Sequence, residues 1–265
     1  AESAFTLAVL YAKGLGVEMD HSQATAWLKA AAEAGHDDAA YNLGIAYTRG
    51  DGVNADIPQA IHWFKQAAAA GNPKAQRDLA TLYASGYGVE KDPTQAFLLY
   101  KASAEQGITV SQLKTGLMLL RGEGVARNPE EAKMWLSKAA KSNDPTAQYT
   151  MGLLLSDANP QVSANWYRKA SEQGNGYAMH NLALFYLYGR GVKQDYTKAL
   201  NWAEKSIAAG VSESKGLHQQ VLQLMGNNRP EPHQYAVVRD AQWLEAKPGE
   251  DYLIQIAREE SEKAA

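Results

Sequence analysis

The protein has 265 residues, of which 45% are hydrophobic and 21% are charged, so it has enough apolar surface for a packed core and is not a disordered chain. Its formal net charge of −3 gives no basic excess to neutralise phosphates, which argues against nucleic acid and against an anionic membrane surface as partners. Cysteine is absent, which excludes disulfides and thiol catalysis, and no apolar run reaches the ~18 residues of a membrane span.

A short glycine turn recurs along the chain and sets its period. Copies of Gly-x-Gly-Val begin at Gly14, Gly50, Gly86, Gly122 and Gly189. The first four copies start 36 residues apart. Self-similarity at a fixed period of this length is typical of stacked supersecondary units. The chain is therefore predicted to be an array of repeats.

The first helix of each repeat is predicted from a large residue, a small residue and an aromatic residue four positions after the large one. In the second repeat these are Leu43, Gly44 and Tyr47. They share one helix face, with a notch at the small residue that is expected to let a neighbouring helix approach closely. The paired glycines then end the helix, because glycine adopts positive φ without steric penalty.

The second helix of each repeat is predicted to begin at an Asp or Asn that stands three positions before Gln or Glu. The residues at this position are Asp20, Asp56, Asp92 and Asn128. Their spacing predicts an N-cap with a capping-box arrangement. Each second helix is expected to end at a glycine such as Gly71. Asn143 takes that place in the fourth repeat, because Asn is the next best residue for a left-handed cap.

The fifth repeat is shorter than the others. The step from Trp135 to Trp166 is 31 residues, whereas the step from Trp166 to Trp202 is 36 residues. The missing residues fall where the glycine turn should be, and Ser156-Asp157-Ala158 stands there instead. We expect this contraction to change the stacking locally and to expose a patch near 156–160. Restoring a Gly-x-Gly-Val turn there should disturb partner binding.

A single helix pair cannot bury its own apolar face, so these units must stack. The predicted fold is all-α, a right-handed α-solenoid of helix-turn-helix repeats with a concave and a convex surface. Six repeats are expected over 1–211, with the fifth shortened, followed by a capping helix over 212–225 and a linker and tail over 226–265. The recurring tryptophans are assigned to the core rather than to ligand binding.

The second repeat resembles the Sel1-like repeat, a relative of the tetratricopeptide repeat. From Ala39 to Gly71 it follows the pattern Ala-x-x-x-Leu-Gly-x-x-Tyr-x-x-Gly-x-Gly-Val-x-x-Asp-x-x-x-Ala-x-x-Trp-x-x-x-Ala-Ala-x-x-Gly. The resemblance implies a non-catalytic adaptor that binds another protein or peptide. Many bacterial members are exported, so it also implies a periplasmic or cell-envelope location, with the cytoplasm as the alternative.

The C-terminal tail resembles the opening of a SPOR domain, a module that binds peptidoglycan glycan strands. The residues that carry this resemblance are Trp243-Leu244, Pro248-Gly249 and Tyr252-Leu253-Ile254-Gln255-Ile256. Only the first part of such a domain is matched, so the glycan-binding part would be missing. The resemblance implies peptidoglycan binding at the cell wall or division site as an alternative function. The other interpretation of this segment is an irregular capping tail.

The sequence indicates no catalytic, cofactor or metal site. Its histidines are His21, His36, His62, His180, His218 and His233. No two of them stand at the spacing of a helical metal pair. The glycine turns follow helices rather than strands, so they do not predict a phosphate-binding loop. A scaffold rather than an enzyme is therefore predicted.

A partner, either an amphipathic helix or an extended segment, is expected along the first helices, which line the concave groove in related helical repeats. The predicted groove residues are Phe5, Val9, Tyr41, Ile45, Arg77, Thr81, Leu113, Leu117, Tyr149, Leu153, His180 and Leu184. Most are apolar, so either the groove accepts a peptide or tight curvature buries these residues between adjacent first helices. Tyr41, Arg77 and Tyr149 are predicted to protrude as anchors, since Tyr and Arg are favoured at binding hot spots.

Overall fold

A computed structural model describes residues 1–226, which contain thirteen α-helices and no β-strand. The helices are α1 (Glu2–Lys13), α2 (His21–Glu33), α3 (Asp37–Arg49), α4 (Ile57–Ala69), α5 (Pro73–Ser85), α6 (Pro93–Glu105), α7 (Thr109–Arg121), α8 (Pro129–Lys141), α9 (Pro145–Leu155), α10 (Pro160–Glu172), α11 (Gly176–Tyr188), α12 (Tyr196–Ala208) and α13 (Ser214–Gly226). They form two compact units, 1–127 with α1–α7 and 128–226 with α8–α13. The tail that resembles a SPOR domain lies outside the described residues.

Within each unit, helices that follow one another in the chain pack together, so that successive helix pairs stack. The core of the first unit includes Phe64 and Leu79, and the core of the second includes Tyr167. The predicted all-α solenoid is thereby confirmed. Helix α13 occupies the stretch where a capping helix is predicted, and it contributes Leu217 and Val221 to the core of the second unit.

The predicted helix ends are confirmed, but the capping box is not formed at Asp56. Gly50 ends α3 with a φ of 77°, and Asn143 follows α8 with a φ of 69°. Asp56 caps α4 by accepting a hydrogen bond from the backbone N–H of Gln59 at 3.0 Å. The N–H of Asp56 donates to the backbone carbonyl of Tyr47 at 2.9 Å, so it is not available to the Gln59 side chain. The N-cap residue thus ties the second helix to the first helix of its repeat.

The notch in the first helix receives an aromatic ring of the second helix. The ring of Phe64, from the second helix of the same repeat, lies so close to Gly44 that an added Cβ would come within 2.6 Å of it. Tyr167 lies against Gly152 in the same way, within 2.5 Å of an added Cβ. Both rings are fully buried. An added Cβ at Gly44 would also lie 3.2 Å from the backbone carbonyl oxygen of Ala60 in α4, so the close helix approach expected at the notch is present at Gly44 together with the ring.

From the second repeat onward, the second glycine of the turn brings the loop against the preceding repeat. An added Cβ at Gly52 would overlap the backbone carbonyl of His21, the first residue of α2. Gly191 stands in the same relation to Pro160, the first residue of α10. The glycine turn of one repeat thus contacts the first turn of the second helix of the preceding repeat. Sequence reasoning explained the second glycine by its φ alone and missed this contact.

The fifth repeat lacks the glycine turn, as predicted. Helix α9 ends at Leu155, and the side chain of Asn159 caps α10. Arg190, from the turn of the sixth repeat, donates to the carbonyl of Ser156 at 2.7 Å and forms an ion pair with Asp157. Ser156 is buried while 157–159 are exposed, so the patch expected near 156–160 is smaller than predicted.

The contracted fifth repeat also lies next to an exposed position in α8. In α4 the residue two positions before Trp63 is Ile61, which is buried beneath Gly88. Phe97 and Ala164 occupy the same position and are also buried. The counterpart in α8 is Lys133, and it is exposed. A charged residue therefore stands where the covering turn has been lost.

The recurring tryptophans are only partly core residues. Trp63 and Trp135 are buried, whereas Trp27, Trp166 and Trp202 are half-buried. In the second unit, the ammonium group of the lysine three positions after each tryptophan lies over the indole ring, at 4.2, 4.9 and 4.5 Å from its centroid. These cation–π contacts cover ring faces that the apolar core leaves accessible.

Gly71 and Gly52 both have a positive φ, so replacing each with alanine distinguishes the cost of backbone strain from the cost of steric overlap. Gly71→Ala places its Cβ in open space, so we expect a loss of only ~1–2 kcal/mol in the free energy of unfolding, from the left-handed backbone. Gly52→Ala adds the overlap with the His21 carbonyl and should cost a further ~1–3 kcal/mol. Urea unfolding of both variants measures the difference. Equal losses would show that the turn is not seated on the preceding helix.

Candidate functional site

Half of the twelve predicted groove residues lie in the interior. The buried residues are Thr81, Leu113, Leu117, Tyr149, His180 and Leu184. The half-buried residues are Phe5, Val9, Tyr41, Ile45, Arg77 and Leu153. Burial alone accounts for the apolar residues of the first set, without a partner. The accessible groove residues are concentrated in the first unit, which holds five of the six.

Tyr149 does not protrude, and its predicted role as an anchor is wrong. Its side chain is only 2% exposed, and its ring packs at 6.1 Å from that of Tyr167 in the core of the second unit. Burial raises the pKa of the Tyr149 phenol well above its usual value. An aromatic residue at a groove position thus serves as a core residue once the neighbouring helices are in place.

Tyr41 and Arg77 belong to one polar network on the first helices of the second and third repeats. The Tyr41 hydroxyl donates to the carboxylate of Asp78 at 3.1 Å, and Nε of Arg77 donates to the other carboxylate oxygen at 2.6 Å. Burial, followed by the charge of Asp78, raises the pKa of Tyr41, so the phenol stays neutral and remains a donor. The network holds both predicted anchors in fixed positions, with the Arg77 side chain still 25% exposed.

Asp78 is the residue of this network that sequence reasoning missed. It is 3% exposed and is paired with Arg77, as a buried carboxylate must be. The available signal was a carboxylate on the buried face of a helix, directly after an arginine at a groove position. Its function depends on Tyr41, 37 residues earlier, which no local motif contains.

A cavity of about 400 Å³ opens between α1, α2 and α3 in the first unit. Its apolar wall includes Phe5, Ala8, Val9, Leu28 and Ile45. Three of these are predicted groove residues, namely Phe5, Val9 and Ile45. The cavity itself was not predicted, because it depends on the side chain that the second helix places opposite them.

His180 is held inside the second unit, where α11 meets α13. Its Nδ1 lies 2.8 Å from the hydroxyl of Ser214, which lies 2.7 Å from the hydroxyl of Ser206. Ser206 donates to the carbonyl of Gly176, so Ser214 must donate to Ser206 and His180 must donate to Ser214. Burial lowers the pKa of His180, although the nearby Glu213 acts in the opposite direction. His180 fastens the last helix rather than facing a partner.

Residues 1–226 contain no cluster of His, Asp and Glu that could hold a metal ion. None of the helices in the same range is both long and apolar enough to cross a membrane. The candidate site of the first unit therefore consists of the half-buried groove residues, the Tyr41–Arg77–Asp78 network and the cavity beside Leu28.

Comparison with known proteins identifies the repeat. A family model described as the Sel1 repeat matches 1–36, 37–72, 73–108, 109–144, 146–175 and 176–211, and the fifth match is shorter than the others. A protective antigen present in uropathogenic Escherichia coli strains, with an SLR fold, is 33% identical over 87% of this chain, with a TM-score of 0.75. A Sel1 repeat protein from Oxalobacter formigenes is 32% identical over 78% of this chain and 87% of its own, with a TM-score of 0.63.

The relatives differ in how much of their own length this chain spans. It covers 50% of the uropathogenic E. coli protein. It also matches the "ERAD-associated E3 ubiquitin-protein ligase component HRD3A" of Arabidopsis thaliana, with 42% identity over 48 residues, which is 18% of this chain and 7% of that protein. The similarity to the plant protein is thus confined to a short stretch of repeats.

Stability of the second unit should depend on pH through His180. The pKa of His180 is lowered in the folded state, so the unfolded chain takes up a proton more readily. The contribution of His180 to the free energy of unfolding is therefore fully present above a pH of about 6.5 and falls as the pH drops below it. The loss should approach ~1.4 kcal/mol per pH unit. Urea unfolding between pH 7.5 and 5 measures it. His180→Asn keeps a donor for Ser214 and should flatten the dependence of unfolding free energy on pH. The control His62→Asn, at an exposed residue, should leave that dependence unchanged. Identical pH profiles for the two variants would contradict this assignment.

Proposed function

Because this chain belongs to the Sel1 repeat family, we propose that it is a non-catalytic scaffold that binds a protein or peptide partner through the first helices of residues 1–127. Sel1 repeats are generally protein–protein interaction modules, and their scaffolds are generally non-catalytic. What supports this location for the binding surface is the clustering of half-buried groove residues in the first unit.

The chemistry of this surface suits a peptide. Tyr41 and Arg77 are residue types that dominate binding energy at interfaces, and their shared bonds to Asp78 fix them before a partner arrives. A side chain that is already ordered loses less conformational entropy on binding. Phe5 and Ile45 supply half-buried apolar surface on the neighbouring first helices.

We also propose a location in the cell envelope. The uropathogenic E. coli relative is described as a protective antigen, and an antigen that protects is met by the immune system of the host, which favours an exposed location. The plant relative is a component of a ligase assembly, which supports the coarser idea that such repeats join proteins together. Peptidoglycan binding is the alternative, and the resemblance that suggests it lies in the tail outside the described residues.

Photo-crosslinking in the producing cell tests the binding surface. Replacing Phe5 or Tyr41 with p-benzoylphenylalanine keeps an aromatic ring at each half-buried position, so the fold should be retained. Irradiation should then give discrete adducts with a protein, read by mass spectrometry. Matched controls at His62 and Leu98, exposed on second helices, should give none.

Two outcomes would contradict the proposal. Adducts from His62 and Leu98 but not from Phe5 and Tyr41 would move the binding surface to the second helices. Retention of the purified chain on cell-wall sacculi, with no protein adduct at any position, would favour the peptidoglycan alternative.

A further inference from the structure

The cavity of the first unit lies where the second and third repeats place an aromatic ring. Position 28 of the first repeat corresponds to Phe64 in the second and Tyr100 in the third, 36 residues apart. Phe64 and Tyr100 are both buried, and Phe64 fills the space against Gly44. The first repeat has Leu28 instead, and Ala8 at the notch. Leu28 lines the cavity of about 400 Å³.

The side-chain amide of Asn42 at the cavity wall is also without a hydrogen-bond partner among residues 1–226. In the next repeat, the Tyr41 hydroxyl donates to Asp78. The corresponding pair one repeat earlier is Phe5 and Asn42, and Phe5 has no hydroxyl. Asn42 lines the cavity and is half-buried, and its side chain makes no hydrogen bond to any of residues 1–226. Its amide is therefore available to a ligand.

The size and lining of the cavity suit an aromatic group. Pockets for bound ligands span roughly 300–1,000 Å³, and an apolar cavity of ~150 Å³ already accepts benzene. The wall is formed largely by apolar side chains, and the ring of Phe5 is held in place at 4.3 Å from that of His36. Lys13, His21 and Asp51 also line the cavity and are exposed, so polar groups of a polypeptide have partners at its opening.

We propose that this cavity binds one aromatic side chain of a partner polypeptide, with the ring in the place that Phe64 occupies in the second repeat and with Asn42 hydrogen-bonded to the backbone beside it. The chain itself shows that an aromatic ring fits this space, since its own repeats place one at the equivalent position three times, at Phe64, Tyr100 and Tyr167. This inference rests on the proposed binding function and names the group of the partner that enters.

A titration with N-acetylphenylalaninamide tests the cavity directly. Methyl NMR of the full chain should show saturable shifts for Val9, Leu28 and Ile45, with a dissociation constant on the order of 1 mM for a ligand of this size. N-acetylalaninamide should cause none, because it lacks the ring.

Leu28→Phe restores the missing ring and should abolish the shifts of Val9 and Ile45, weakening binding by at least about tenfold. The third repeat combines a buried ring, Tyr100, with Ala80, the counterpart of Ala8, so an aromatic residue in a repeat with alanine at the notch is compatible with folding. Ile45→Phe fills the cavity from another wall if the first variant is unstable. Ala26→Leu enlarges an exposed residue of the same helix and should bind like the unmodified chain.

Absence of saturable shifts in the unmodified chain, or their persistence in the folded Leu28→Phe variant, would overturn the inference. Undiminished crosslinking of a partner to Leu28→Phe would also overturn it while leaving the scaffold function intact. If no partner is captured by the unmodified chain, the proposed function fails, and the titration still decides whether the cavity accepts an aromatic side chain.

Discussion

Each repeat of this protein is completed by contacts that its neighbour supplies. The glycine turn lies so close to the first turn of the preceding second helix that there is no space for a Cβ at Gly52 or Gly191. Inside the repeat, the small residue of the first helix receives a ring from the second helix, as Gly44 receives Phe64. Because the contact of the glycine turn joins one repeat to the next, a change in one turn alters what the adjacent helix exposes. The exposed Lys133, next to the contracted repeat, shows this dependence.

The sequence predicted those features whose cause is local. The left-handed ends at Gly50 and Asn143 and the N-cap at Asp56 depend on the residue itself and on its immediate neighbours, so they could be predicted. The Tyr41–Asp78 bond joins residues from different repeats, and burial of Tyr149 depends on Tyr167, so neither could. In both cases a residue type suggested a site, and packing decided its role.

The candidate site follows from departures from the repeat rather than from the repeat itself. Periodic residues are used by the scaffold, so a ligand can interact only with groups that the scaffold leaves free. In the first unit these are the half-buried groove residues, the fixed Tyr41 and Arg77, and the cavity beside Leu28. Comparing Leu28 with Phe64 identifies the unused space, and comparing Asn42 with Asp78 identifies the unused polar group. The 36-residue period thus becomes the reference that makes these differences visible.

Hydrogen–deuterium exchange along the full chain tests most directly whether neighbouring turns stabilise each second helix. The equivalent segments 96–100, 132–136 and 163–167 lie in α6, α8 and α10, and among these three the glycine turn is missing only beside α8. Local opening costs less where fewer apolar contacts must be broken. Amides in 132–136 should therefore exchange faster than those in 96–100 and 163–167. Equal protection of all three segments would contradict the account.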